Sequence, residues 1–327
     1  MNKLDKNELQ VFMRLWGGFR PARIVLTANN LRIFEYTTAA KTAKELSRTI
    51  TTDERATTIL LDACTALGLL KKTGNRYRNT NVAKQFLLPD SPFYQGDMLR
   101  HADALWQSWS GLDEVVRTGK PNRSGRRQHD VFIRAMHNSA ALRVNDVMHA
   151  LDLRTIKKAL DLGGGPGTYS IALAKQGIAV TLFDLPDTLD VSREIIRGSG
   201  ARNIDLIAGD FHFDDIGSGY DLVFISQILH SHSELENEAL LTKVFGSLAD
   251  GGTAVIHEFA LDKTRAFPAA GALFSVNMLV NTMSGRCYAP EEMKPWMVKA
   301  GFTSVKRTSL GDTVLISGKK PRRRQPR

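Results

Sequence analysis

A glycine-rich run in the middle of the chain, DLGGGPG at residues 161–167, has the residue types that let a ligand approach the main chain. Asp161 ends a short apolar stretch typical of a buried strand, and a helical pattern begins near Thr168. Glycines such as Gly163 and Gly165 allow positive φ at a strand-to-helix turn and remove the side chain that would block a ligand. The run therefore predicts a ligand-binding loop.

Two more carboxylates are predicted to end the next two strands. Asp184 comes 19 residues after Gly165 and is followed by Leu185, at a place where a carboxylate can accept hydrogen bonds from both hydroxyls of a ribose. Asp210, in AGDF, could accept from the amino group of an adenine while Phe211 packs on the ring. A simple turn residue is an equally good interpretation of Asp210 taken alone.

A glycine-rich turn followed by an acid also fits NAD, so the ligand has to be chosen from finer details. Thr168 stands where the third glycine of GxGxxG would be, Asp161 precedes the glycines, and Asp210 ends the third predicted strand. S-adenosylmethionine (SAM) has no pyrophosphate and does not need that third glycine. These details predict SAM as the cofactor.

The composition describes a globular chain of 327 residues that is 43% hydrophobic, and it excludes several classes of protein. Cys64 and Cys287 make no disulfide framework, and no Cys/His spacing resembles a metal site. No apolar run is long enough to span a bilayer and the N-terminus has no signal-peptide pattern, so we expect a cytoplasmic protein without a membrane partner.

The net charge of +10 is unevenly distributed along the chain. The last nine residues, 319–327, hold six basic residues and no acid, so the rest of the chain is only mildly basic. We interpret this segment as a disordered basic tail and do not expect nucleic acid as a partner.

The first hundred residues read as helices followed by a small hairpin. Thr42, with a glutamate three residues later, is typical of a helix N-cap, and Asp53 opens a longer amphipathic helix. A Gly-Asn pair at residues 74–75 predicts a hairpin turn. Together they predict a mainly helical winged-helix domain over residues 1–105.

From Lys157 onward, short buried strands alternate with amphipathic helices, which predicts a mostly parallel sheet covered on both faces. The chain then ends in FTSVKRTSL and TVLISG, separated by only a few residues, which indicates an antiparallel last strand. That ending is typical of methyltransferase sheets. We therefore predict an α/β fold, with a Rossmann-like class I methyltransferase domain over residues 106–318.

The segments DLGGGPG, FDLPDTLD, AGDF and ISQILHSHS together resemble the O-methyltransferases that include plant caffeic acid and animal hydroxyindole enzymes. The resemblance covers nearly the whole chain, and the N-terminal segment is similar to that family's dimerisation domain. It implies a homodimer formed through this domain. It also implies in-line transfer of a methyl group from SAM to a hydroxyl of a small aromatic secondary metabolite.

The resemblance also implies two catalytic residues. His230, after the fourth strand, matches the family's general base, and Glu258, near the end of the fifth, matches the carboxylate that orients it. Methyl transfer requires alignment of the acceptor and removal of one proton, which an imidazole can perform near neutral pH. A structural histidine and a surface glutamate at strand ends are the competing interpretations.

Other positions follow from the same resemblance, some with departures from the plant pattern. Ser226 lies on the cofactor side where the family has a lysine, and Ser231 replaces an aspartate. Cys287 stands where a second base-orienting glutamate would be, which puts the full relay in doubt. His232 is interpreted as a pocket wall. The predicted acceptor-binding residues are Phe132, Met136, Met278, Asn281 and Thr282.

Alternatives remain at this point. Relatives of this fold methylate carbon or nitrogen, and a few bind SAM without methylating. From another class, a winged-helix regulator could bind DNA and sense SAM, but the helix after Asp53 offers only Arg55 before its apolar face. Dimerisation is the better interpretation of that domain.

Overall fold

A computed structural model of the chain describes residues 5–122 and 129–322. The chain separates into two compact units between Asp103 and Ala104, two residues before the boundary predicted after residue 105.

The first unit combines short helices with a small antiparallel sheet in the order β1-β3-β2. Its helices α4 and α5 and its hairpin form the predicted winged-helix arrangement. Its elements are α1 (Lys6–Gly17), α2 (Phe19–Asn30), α3 (Ile33–Tyr36), β1 (Lys41–Thr42), α4 (Ala43–Ile50), α5 (Glu54–Ala66), β2 (Leu70–Thr73), β3 (Arg76–Asn79), α6 (Asn81–Phe86) and the start of α7 (Gly96–Ser110).

Side-chain caps fix the starts of α4 and α5. The Thr42 hydroxyl accepts a hydrogen bond from the Glu45 amide at 3.2 Å, and the Glu45 carboxylate accepts from the Thr42 amide at 2.7 Å. Asp53 accepts from the Ala56 amide at 2.7 Å. These caps satisfy amides that have no partner inside the helix, which is why the sequence signals located both helices correctly.

The capping box of α4 gives a stability prediction. Replacing Thr42→Ala leaves the Glu45 amide without its acceptor, and we expect the free energy of unfolding to fall by ~1 kcal/mol. Urea denaturation followed by circular dichroism measures the change. Thr58→Ala, at a half-buried position inside α5 where the hydroxyl bonds to the Glu54 carbonyl of the same helix, is the control and should not be destabilising. Equal stability of Thr42→Ala and the unmodified protein would contradict the cap.

The second unit is built on seven strands with helices on both faces. Its elements are α8 (Leu112–Thr118), α9 (His129–Ala141), α10 (Val144–Ala150), β4 (Lys158–Leu162), α11 (Thr168–Lys175), β5 (Ala179–Asp184), α12 (Pro186–Ser199), β6 (Ile204–Ala208), β7 (Tyr220–Ser226), the 3₁₀ turn Leu229–Ser231, α13 (Glu234–Ser247), β8 (Leu248–Phe259), α14 (Ala269–Asn281), α15 (Pro290–Lys299), β9 (Thr303–Leu310) and β10 (Thr313–Lys319).

The sheet has the strand order β6-β5-β4-β7-β8-β10-β9. Strands β4 to β8 pair in parallel, and β10 is antiparallel to both β8 and β9. The predicted mostly parallel sheet with an antiparallel last strand is confirmed. Because parallel strands run in one direction, the segments after β4, β5, β6, β7 and β8 all emerge at the same edge of the sheet.

Both faces of this sheet are buried, as strand β7 shows. Leu222 and Phe224 pack into one apolar cluster, while Val223 and Ile225 pack into another on the opposite face. Side chains alternate between the faces of a strand, so a strand covered on both sides reads as a continuous apolar run. This is the pattern that YDLVFIS carries in the sequence.

The disordered tail predicted from residue 319 is wrong at its first residues. Lys319 is the last residue of β10 and is paired with Thr253 of β8. The Lys320 amide donates to the Gly252 carbonyl at 2.8 Å, and its ammonium donates to the Leu248 carbonyl at 2.6 Å. Strand pairing and these bonds hold both lysines, although their charge suggested a solvated extension. Residues 323–327 lie outside the described part of the chain.

Within residues 5–122 and 129–322, no helix is both long and apolar enough to cross a membrane.

Candidate active site

The glycine loop follows β4, with Asp161 as the penultimate strand residue and not the last one as predicted. Gly163 has φ 65°, and a methyl group there would lie 2.5 Å from the Ile228 Cδ1 atom. Gly165 has φ 52°, and a Cβ there would meet nothing within 4 Å. Positive φ favours glycine at both positions, and Gly163 is also crowded, whereas Gly165 faces open space.

Asp161 lies beneath this loop and is almost completely buried. Its Oδ2 atom accepts a hydrogen bond from the Ser170 hydroxyl at 2.6 Å. Its Oδ1 atom is buried and has no hydrogen-bond partner among the described residues. Burial raises the pKa of this carboxyl to about 6. Its ionised form is therefore costly in free energy, because protein groups bond to only one of its two oxygens.

Asp184 is the last residue of β5, as predicted, and lies against the same loop. Its Oδ2 atom accepts from the Gly165 amide at 2.8 Å, and its Oδ1 atom accepts from the Leu185 amide at 2.7 Å. Burial raises the pKa of Asp184, while these two amides oppose the rise. Each oxygen keeps further acceptor capacity, because a carboxylate oxygen has two lone pairs.

Asp210 does not end a strand as predicted, because β6 ends at Ala208 and Asp210 lies in the following loop. Its Oδ1 atom accepts from the His212 amide at 2.9 Å, which is the bond of a turn residue. Phe211 is close to the glycine loop, with its Cε1 atom 3.6 Å from where a Gly163 Cβ would stand. Lys243 fixes this loop by donating to the Phe211 carbonyl at 2.7 Å.

The residues around the loop fit SAM. Gly165 leaves the main chain open, Asp184 stands at the end of the neighbouring strand, and the free Oδ1 atom of Asp161 suits a ligand that carries positive charge.

His230 and Glu258 form a buried pair at the same edge of the sheet. His230 lies in the 3₁₀ turn Leu229–Ser231, which is here called the base turn together with the following residue His232, and Glu258 is the penultimate residue of β8. The His230 Nδ1 atom is 2.7 Å from Glu258 Oε2, and Oε1 accepts from the Leu229 amide at 2.9 Å. A carboxylate on Nδ1 favours the tautomer with its proton there.

That tautomer leaves the Nε2 atom of His230 as an acceptor, and in the described part of the chain Nε2 makes no hydrogen bond. Both side chains are buried, with 6% of His230 and 3% of Glu258 exposed. Glu258 is therefore not the surface glutamate of the competing interpretation, while a buried His230 agrees both with a base and with a structural histidine. The pair can take one proton at Nε2 and stabilise the resulting charge through Glu258.

Aromatic rings and a neutral thiol surround this pair. The Phe274 ring lies 4.9 Å from the His230 ring and stacks on Phe259 at 4.2 Å. Cys287 is buried nearby, and burial raises the pKa of its thiol to about 12, so it is uncharged at neutral pH. The sequence did not identify Phe259 or Phe274, although Phe259 directly follows Glu258.

The predicted acceptor residues fall into two groups. Met278 and Thr282 lie beside the base turn, with the Met278 Sδ atom 4.0 Å from the Ser231 hydroxyl. The amide group of Asn281 is bonded to Asn277, one turn earlier in α14.

The second group, Phe132 and Met136, lies one turn apart on α9. This helix contacts the cofactor side of the site, since its His137 Nδ1 atom is 2.7 Å from the Thr168 hydroxyl.

Ser226, the last residue of β7, bonds to a histidine that the sequence analysis missed. Its hydroxyl is 2.9 Å from the Nδ1 atom of His257, whose Nε2 atom has no partner among the described residues. Because side chains alternate along β8, His257 and Glu258 point to opposite faces of the sheet. Burial lowers the pKa of His257 to about 4, so this ring is neutral.

Comparison with known proteins identifies the family. Residues 98–303 match the model of the O-methyltransferase domain, and residues 13–89 match the O-methyltransferase dimerisation domain. The chain belongs to the O-methyltransferase family.

Named relatives agree with this assignment. This O-methyltransferase is 34% identical to a 3-hydroxy-5-methyl-1-naphthoate 3-O-methyltransferase of Streptomyces sahachiroi, over 81% of this chain and 80% of the relative. It is 32% identical to the tetracenomycin polyketide synthesis 8-O-methyl transferase of Streptomyces glaucescens, over 80% of this chain and 82% of the relative. Human N-acetylserotonin methyltransferase in complex with SAM shares the fold, with a TM-score of 0.89, 23% identity and coverage of 98% and 100% of the two chains.

The protein is thus a SAM-dependent O-methyltransferase with a Rossmann-like α/β domain and an N-terminal dimerisation domain. The predicted enzyme class, fold and cofactor are confirmed.

The buried His257 gives this O-methyltransferase a pH-dependent stability. Its pKa is about 4 when folded and near 6.5 when the ring is free, so acid protonates the unfolded chain first. The contribution of the neutral His257 ring to the free energy of unfolding is present above pH 6.5 and is lost as pH falls towards 4. The free energy of unfolding should therefore fall by ~2 kcal/mol between pH 7 and pH 5. Urea denaturation at both pH values, compared between the unmodified protein and His257→Gln, measures it. A variant with an unchanged pH dependence would contradict the assignment.

Proposed function

We propose that this enzyme methylates a phenolic hydroxyl of a small polycyclic aromatic metabolite, with His230 as the general base. The observation that carries the proposal is the buried His230–Glu258 pair, which leaves Nε2 as a free acceptor beside the stacked rings of Phe259 and Phe274. Stacked rings suit a flat aromatic acceptor. The naphthoate and tetracenomycin enzymes among the relatives support the same class of acceptor.

Residues at or just after the ends of β4, β5, β6 and β7 would hold the cofactor. SAM supplies an electrophilic methyl group on a positively charged sulfur. Asp184, with Leu185 beside it, would accept from the ribose hydroxyls, and Asp161 would face the charged part of the ligand. The remaining proposed cofactor contacts are the loop glycines Gly163 and Gly165, the adenine partners Asp210 and Phe211, and Ser226.

The reaction then needs one proton acceptor and a fixed geometry. The acceptor oxygen would gain the methyl group while its proton passes to Nε2 of His230, and the electrons of the broken sulfur–carbon bond stay on sulfur. Glu258 would stabilise the imidazolium without taking its proton. The Leu229 amide holds Glu258 in place, so base and carboxylate stay aligned. Phe132, Met136, Met278, Asn281 and Thr282 would line the acceptor site.

We also propose a homodimer formed through the first domain, taken as residues 1–105, with the methyltransferase domain following it. The match to the dimerisation domain supports this. Helix α1 supports it independently, because the helix buries none of its residues within the chain. Its Phe12 and Leu15 side chains are 63% and 76% exposed. Apolar side chains exposed together in this way are typical of a surface that a partner covers.

The cofactor assignment predicts the effect of Asp184→Ala on SAM binding. Loss of the carboxylate removes the ribose acceptor and the acceptor of the Gly165 amide, so we expect SAM affinity to fall by at least ~100-fold. Isothermal titration calorimetry measures it. Asp187→Ala, three residues later on the exposed surface of α12, is the matched control and should bind normally. Unchanged binding by Asp184→Ala would overturn the cofactor site.

The base assignment predicts that His230→Ala binds SAM normally but loses turnover. A positioned general base contributes ~10²- to 10⁴-fold, so we expect kcat for a hydroxynaphthoate or another phenolic acceptor to fall in that range. A screen of phenolic acceptors with labelled SAM supplies the substrate and measures the rate. His149→Ala, on the exposed side of α10, is the control. If His230→Ala and the unmodified enzyme turn over equally fast, alignment of the substrates accounts for catalysis without a general base.

A further inference from the structure

The residues that connect α14 to α15, Thr282–Tyr288, pack against the backbone of the base turn. Gly285 is the closest point, because a methyl group there would overlap the His230 carbonyl oxygen and lie 3.1 Å from the Ser231 carbonyl carbon. The Gly285 amide is itself held by the Thr282 hydroxyl at 3.0 Å. A third obstructing atom is the Thr282 hydroxyl oxygen, 2.6 Å from the same position, but the His230 and Ser231 atoms belong to the backbone and cannot rotate away. Any side chain at Gly285 must therefore displace the base turn or the connecting segment.

Tyr288 holds the other end of the base turn. Its hydroxyl donates a hydrogen bond to the His232 carbonyl at 2.6 Å. Its ring packs on Trp296 of α15 at 4.9 Å, and the Arg286 guanidinium lies over the ring at 4.2 Å. These two contacts hold the Tyr288 ring in place independently of its hydrogen bond to the turn.

Arg286 ties the same segment to the neighbouring helices. Its guanidinium donates to Glu234, in the first turn of α13, at 2.6 Å and to Glu292, in the first turn of α15, at 2.8 Å. These ion pairs are partly exposed and contribute little stability individually. They connect the segment to two helices at once, which limits its movement.

Three carbonyl groups of the base turn are thus each constrained by a different residue. Asn237 donates to the Leu229 carbonyl at 3.0 Å, Gly285 packs on the His230 carbonyl, and Tyr288 donates to the His232 carbonyl. Glu258 holds the amides of the same turn from the other side. Glu258 fixes the orientation of the imidazole, and the connecting segment fixes the position of the backbone that carries it.

We propose that Gly285 and Tyr288 are positioning residues for the general base, and that the Thr282–Tyr288 segment sets the distance from His230 Nε2 to the acceptor oxygen. This inference rests on the proposed role of His230. It concerns the proton-accepting half of the site, since the segment's bonds described above do not include the glycine loop or Asp184.

The test begins with Gly285→Ala and its matched control Gly246→Ala, a glycine of α13 whose added methyl group would meet nothing within 4 Å. A misplacement of about 1 Å can cost ~100-fold in rate, so we expect kcat to fall ~10- to 100-fold in Gly285→Ala. The KM for SAM, and the Kd for SAM measured by calorimetry, should stay unchanged in both variants. Tyr288→Phe, which keeps the ring and removes one hydrogen bond, should lower kcat ~3- to 10-fold and covers the case in which Gly285→Ala does not fold.

Double variants separate positioning of the base from a general loss of structure. If the segment acts through His230, then adding Gly285→Ala or Tyr288→Phe to His230→Ala should cause no further fall in the residual rate. A further loss equal to that of the single variant would overturn the inference, and so would wild-type kcat in both single variants. The proposed base role fails separately, if His230→Ala alone turns over at the normal rate.

Discussion

The hydrogen bond between His230 Nδ1 and Glu258 Oε2 depends on strand pairing. A buried carboxylate is costly unless several donors satisfy it, and here one histidine nitrogen and the amides of the base turn all point at Glu258. The turn follows β7 and the carboxylate belongs to the penultimate residue of β8, so the parallel pairing of these neighbours brings the donors to their acceptor. The local geometry of the base therefore depends on the pairing of β7 with β8.

The cofactor side uses the same edge of the sheet. Strand order runs outward from β4 through β5 to β6 in one direction and through β7 to β8 in the other, so the two halves of the site flank the place where the order reverses. Crevices form at such points because the connections on either side lead away from each other. The glycine loop lies after β4 and the base turn after β7, which places both at this crevice.

Local signals predicted most of the fold, and tertiary contacts account for what was missed. The caps at Thr42 and Asp53, the hairpin at Gly74 and the glycine loop depend on near neighbours in sequence, so residue type and spacing were sufficient to locate them. The close approach of Gly285 to His230 joins residues 55 positions apart, and no sequence pattern encodes it. Composition was misleading at Lys319, because strand pairing depends on register and tolerates a charged residue at a strand end.

The half-satisfied carboxylate of Asp161 also bears on the end of the catalytic cycle. A buried carboxyl whose pKa is raised to about 6 favours a ligand with positive charge over a neutral ligand of the same shape. Loss of the methyl group turns the positively charged sulfur of SAM into a neutral sulfide. In the proposed cofactor site, the carboxylate that would attract the charged methyl donor would hold the spent donor less tightly, and the charge lost on transfer would favour exchange of product for fresh donor.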